Sequence, residues 1–95
     1  MELVIFARFH VRAGLDSRAA QVLTEQVQGV RTEPGCLLIG AFRSTRDPRL
    51  FFINSRWVNE AAFETHAELP RTHRFVEVMK GLIDHDFEAV RTHAL

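Results

Sequence analysis

The chain has 95 residues with 12 basic and 12 acidic side chains and no formal net charge, so it lacks the clustered positive field that nucleic-acid phosphates demand. That length sets one domain, 1–95, as the expectation, and a domain so small is only marginally stable alone. An apolar share of 46% in so short a chain points to a second buried face, and so to a homodimer.

Residues 1–11, MELVIFARFHV, are rich in Val, Ile and Phe and predict a strand. Leu3, Ile5, Ala7 and Phe9 fall on one face, and Val4, Phe6, Arg8 and His10 on the other. Glu2 and Arg8 interrupt this segment, which is too short to cross a membrane and does not resemble a signal peptide. Ala13-Gly14 breaks the strand, and Asp16 or Ser17 can cap a helix. Ala19, Ala20, Leu23, Val27 and Val30 recur at helical spacing until Glu33-Pro34-Gly35 ends the helix. Residues 36–44 predict a second strand, Arg46-Asp47-Pro48-Arg49 a turn, and residues 50–58 a third strand, paired as an antiparallel hairpin. Asn59 caps a second helix, which Leu69-Pro70 interrupts. Pro70 suits the start of a new helical segment whose stripe is Phe75, Val76, Met79, Leu82 and Ile83. Residues 86–92 form a shorter, more polar fourth strand.

The order strand, helix, strand, strand, helix, strand is the ferredoxin-like βαββαβ arrangement of the α+β class. It predicts a four-stranded antiparallel sheet with the helices on one face. The other face would carry Val4 and Phe6, with Leu38 and Phe42 or Leu37 and Ile39 according to register. Two chains meeting sheet to sheet would cover it.

No phosphate-binding glycine motif and no zinc-spaced Cys/His set is present. Cys36 is alone, so no internal disulfide forms; it reads as buried filling in a protein of the reducing cytoplasm. His66 and His73 lie seven apart, but Pro70 between them spoils a shared helical face, so no metal is expected. Trp57 shares a strand face with Phe51, Ile53 and Ser55, while Phe52, Asn54 and Arg56 take the other. Read plainly, Trp57 is a large ring under the second helix and His66 a cation near a helix end.

A longer pattern gives these two residues a second meaning. Glu33-Pro34-Gly35-Cys36-Leu37, a Phe-rich strand ending in Arg56-Trp57, then Asn59-Glu60-Ala61-Ala62-Phe63, His66, Pro70 and Phe75 follow in order. This resembles the antibiotic biosynthesis monooxygenase domain over essentially the whole chain. The resemblance implies a dimeric αβ barrel with a pocket between each subunit's sheet and helices. Many such proteins are cofactor-independent oxygenases that oxidise quinols or polycyclic phenols with O2; others degrade haem, isomerise sugars, or have no established activity.

By this resemblance Trp57 and His66 are the catalytic candidates. His66 would be the acid/base, since histidine ionises near neutrality, and Trp57 would stack on a substrate ring or donate its N–H. Phe9, Ile53, Ser55, Phe63, His73, Phe75 and Arg91 would bind substrate, with His73 guarding the mouth. Arg43, Asn54 and Arg56 are further polar partners, the last two on the wrong strand face. The sequence departs from relatives in having Ser55 where many carry glutamate. Ala7 stands at the place of the strand-1 asparagine of haem-degrading members. No cofactor is expected, with haem on His66 as the alternative.

Overall fold

The computed structural model describes residues 1–95. Its elements are β1 (Leu3–His10), α1 (Asp16–Val30), β2 (Cys36–Arg43), β3 (Leu50–Trp57), α2 (Glu60–Ala67), α3 (Pro70–Lys80) and β4 (Glu88–Thr92). The four strands form one sheet in the order β2-β3-β1-β4, and every pairing is antiparallel. The helical segment expected to restart at Pro70 does so, with the proline at the first turn, where its missing N–H costs nothing.

Alternation along β1 sorts the sheet faces as predicted. Leu3, Ile5, Ala7 and Phe9 are buried beneath the helices together with Phe51, Ile53, Ser55 and Trp57 of β3. α1 covers them with Ala19, Leu23, Val27 and Val30, and α3 adds Met79. The opposite face is bare: Phe6, Leu38, Phe42 and Val90 are 54%, 57%, 57% and 51% exposed. A register shift between Cys36 and Leu38 decides the β2 alternatives. It turns Leu38 and Phe42 outward and leaves Leu37 half-exposed, while Ile39 enters the core.

One helix start differs from expectation. Neither Asp16 nor Ser17 caps α1; Leu15 holds the cap position and no side chain accepts a bond there. Asp16 lies in the first turn instead, where its charge meets the positive end of the helix dipole. α1 also stops at Val30, before the predicted Glu33-Pro34-Gly35 boundary, and the intervening residues form a turn.

That turn positions the site. Gly35 has φ +84, and a Cβ there would lie 2.6 Å from the Cβ of Ala62. Both the backbone conformation and the close approach therefore require glycine. Ala62 belongs to the first turn of α2, whose N–H donates to the Asn59 side chain at 2.9 Å. The turn after α1 is thus pressed against the start of α2, and Glu33 comes beside His66. No helix is long and apolar enough to cross a membrane.

Candidate functional site

Between the sheet and the helices lies a cavity of about 250 Å³. Ile5, Ala7 and Phe9 of β1 and Ile39 and Ile53 of β2 and β3 make its floor, and Phe63, Phe75, Val76 and Phe87 its walls. Twelve of its 16 lining residues are hydrophobic; the polar ones are Gln26, Ser55, His66 and Thr72. A wall this apolar lowers the local dielectric, so those few polar groups decide what the space can do.

His66 is fixed from behind. Its Nδ1 lies 2.7 Å from Glu33 Oε1, and both side chains are nearly buried. The other carboxylate oxygen of Glu33 accepts from Arg71 Nη1 at 3.2 Å, and the same Nη1 donates to the Gly29 carbonyl at 2.6 Å. Thr72 Oγ1 donates to the His66 carbonyl at 2.6 Å, tying the end of α2 to the start of α3. An imidazole whose Nδ1–H donates to a carboxylate keeps Nε2 as its acceptor. This is the arrangement by which a buried carboxylate sets the tautomer of a general base. The buried carboxylate of Glu33 is compensated, since it faces both the His66 ring and the Arg71 guanidinium.

The sequence profile of the antibiotic biosynthesis monooxygenase family matches residues 3–78. The chain belongs to this family. Similar solved structures carry the same fold. One described as an antibiotic biosynthesis monooxygenase superposes with a TM-score of 0.91 at 24% identity over 98% of both chains. PA3566 from Pseudomonas aeruginosa gives 0.90 at 23%, over 99% of this chain and 94% of its own. Rv0793 from Mycobacterium tuberculosis gives 0.93 at 18%, over 100% and 96%. No curated protein matches the sequence.

Within this antibiotic biosynthesis monooxygenase fold, the residues singled out by sequence divide. His66, Phe9, Ile53, Ser55, Phe63 and Phe75 line the cavity together. Trp57 does not. It is fully buried behind the wall, and its indole N–H donates to Ser55 Oγ at 3.0 Å. Its ring packs against the His66 imidazole with centroids 4.8 Å apart. Neither stacking on a substrate nor donating to one is open to it; it supports His66 from the core side. His73 is exposed and lies 3.6 Å from Glu68, so it guards no mouth of this cavity. Arg91 is held outside by Glu60 and Glu64, both at 2.8 Å, with its guanidinium 5.1 Å over the Phe63 ring. Arg43 sits over Phe51, Asn54 donates to the Ile5 carbonyl, and Arg56 faces Glu2 on the bare side.

Glu33, Arg71, Gln26 and Thr72 are the functional candidates that sequence reasoning missed. Glu33 stands in a turn before a proline, where a carboxylate usually meets solvent. In the folded chain it is buried, with His66 and Arg71 on its carboxylate. Cys36 is half-buried; desolvation first, and Glu33 second, push its thiol above the ordinary range. That makes it a poor nucleophile.

Proposed function

We propose that this family member is a cofactor-independent oxygenase that oxidises a small hydroquinone with O2. The observation that carries the reading is the carboxylate-held imidazole of His66 lining a predominantly apolar cavity. His66 Nε2 takes a phenolic proton, and the resulting anion is electron-rich enough to pass one electron to O2. Superoxide and the semiquinone recombine at a ring carbon, forming a hydroperoxide. Loss of water leaves a hydroxyquinone. One hydroquinone and one O2 give one hydroxyquinone and one H2O, and the substrate supplies all four electrons that reduce O2. Glu33 holds the imidazole and stabilises its protonated form, and Gln26 offers an amide to a substrate oxygen. Nothing in this sequence of steps calls on a metal or flavin.

Cavity size favours one or two fused rings. A space of about 150 Å³ holds benzene, and drug-sized ligands fill about 300–1,000 Å³; the 250 Å³ here lies between. The same comparison weighs against haem, which needs a larger pocket. The bare sheet face supports a homodimer, and a lone half-buried thiol suits a reducing compartment such as the cytoplasm.

The test is oxygen uptake by chelator-treated protein on one- and two-ring hydroquinones. Protein-dependent uptake with one O2 consumed per hydroxyquinone is expected. His66→Gln keeps a hydrogen-bond donor for Glu33 but removes the base, and should lower the rate by about 10²-fold or more. A folded His66→Gln protein with undiminished uptake would overturn the reading.

A further inference from the structure

Away from the cavity, His10, Asp84 and His85 bring three metal-ligating atoms within 4.8 Å of one another. His10 ends β1, while Asp84 and His85 lie between α3 and β4. Backbone pairing joins these two stretches. Val11 bridges Ile83, the Asp84 N–H donates to the His10 carbonyl at 3.0 Å, and the Arg12 N–H donates to the Leu82 carbonyl at 2.8 Å. His10 and Asp84 therefore ride on a paired backbone, and His85 lies in the bend that follows it, which favours a preorganised constellation.

Both imidazoles turn the same atom to one carboxylate. His10 Nδ1 is 2.6 Å from Asp84 Oδ2, and His85 Nδ1 is 2.5 Å from Asp84 Oδ1. The two rings stack with centroids 6.1 Å apart. On its far side, His10 Nε2 meets Asp47 Oδ2 at 3.1 Å. Asp47 is itself fixed, because its Oδ1 accepts the Arg49 N–H at 2.9 Å.

The geometry points to a site for one late first-row divalent cation, typified by Zn²⁺, bound by His10 Nδ1, His85 Nδ1 and the Asp84 carboxylate. Two imidazoles and a carboxylate form a donor set that suits zinc, and the open fourth position takes water. Asp47 stands where an outer carboxylate orients a ligating histidine and raises its basicity. The short contacts are now hydrogen bonds, and the ion would replace the shared protons. With metal–ligand bonds of about 2.0–2.1 Å, a tetrahedral site spaces its ligand atoms about 3.4 Å apart. Asp84 must therefore draw back slightly from each ring, which its partial exposure and that of His85 allow. Arg49 Nη2, 3.4 Å from Asp84 Oδ2, is a cation facing the cluster; Asp47 and Asp84 outweigh it. Because the imidazoles must be neutral to bind, affinity weakens as they protonate in acid. The ion would tie β1 to the segment that leads to Phe87, which stacks on Phe9 in the cavity wall.

The experiment titrates untagged, chelator-stripped protein with Zn²⁺, with Co²⁺ as a spectroscopic reporter of nitrogen and oxygen donors, and with Mg²⁺ as control. Saturable binding of one Zn²⁺ per chain and a raised thermal midpoint are expected. His85→Ala alters an exposed side chain and should weaken binding at least about tenfold; Asp84→Asn should repeat the loss. Cys36→Ser and His73→Ala should bind as the parent does. Absence of saturable binding overturns the assignment, as does Mg²⁺ binding as tight as Zn²⁺. So does unchanged affinity in both His85→Ala and Asp84→Asn, or loss of binding in Cys36→Ser or His73→Ala.

Discussion

Ser55 and Trp57 work as a pair inside the core. Both are buried, and the indole N–H has the Ser55 hydroxyl as its partner. Ser55→Ala leaves that N–H without an acceptor and should cost about 1–3 kcal/mol. Trp57→Ala empties a fully packed site and should cost about 3–5 kcal/mol. Urea unfolding of both variants checks the order, and a Ser55→Ala protein as stable as the parent would refute the pairing. At the cavity, Glu33→Gln keeps the shape but loses the charge behind His66. If the oxygenase reading holds, kcat should fall at least about tenfold with little change in KM; steady-state oxygen uptake on one hydroquinone gives both. Of these residues, His66 was legible because histidine is the side chain that ionises near neutrality. Trp57 was legible as important, but its role was not, because only the folded positions show Ser55 taking its N–H. Glu33 was hidden: it lies 33 residues from His66, and no local pattern links the two.

At the scale of elements, strand alternation and helix spacing gave the topology, because each signal is local and repeated. Boundaries that depend on single side chains were less legible, as the uncapped start of α1 shows. Asn59 was the readable cap, and Asn59→Ala should cost about 1 kcal/mol. Gly35→Ala should cost more than about 1 kcal/mol, since it combines a left-handed φ with a clash on Ala62. It should also loosen the Glu33–His66 contact, so thermal melts and activity should fall together. At the other end of the sheet, His10 joins the β2–β3 turn and the segment before β4 through Asp47 and Asp84. Asp84 first and Asp47 second raise the His10 pKa above its ordinary 6.5. Its stabilising contribution is complete below 6.5 and is lost as pH rises through the raised value. Asp84, lowered chiefly by His10, and Asp47, lowered chiefly by the Arg49 N–H, contribute above 3.8 and lose that contribution in acid. Stability of the metal-free protein should therefore decline from pH 6 towards pH 8, and His10→Gln should flatten the decline. A parent protein with no such slope would show that this cluster adds nothing.

For the whole molecule, the unresolved demand is the bare sheet face. Its apolar character was legible from alternation, but its membership was not, because the shift between Cys36 and Leu38 sets which β2 residues turn outward. Phe6, Leu38, Phe42 and Val90 then share one exposed surface across three strands. An exposed face this rich in large apolar side chains marks an association site in a chain whose opposite face is already occupied by helices. A second copy meeting it about a two-fold axis satisfies both faces at once, since the same patch serves each partner. Burying a phenylalanine side chain stabilises by about 1.5–3 kcal/mol, and about 1.4 kcal/mol is tenfold in an equilibrium constant. Replacing Phe6 and Phe42 together by arginine removes two such side chains from each partner and opposes like charges across the axis. The parent should sediment as a dimer at micromolar concentration, and the double variant should weaken association by at least about a hundredfold while keeping its far-ultraviolet circular dichroism. A parent that sediments as a monomer would remove the second copy from this face. A dimer untouched by the double variant would place the interface elsewhere.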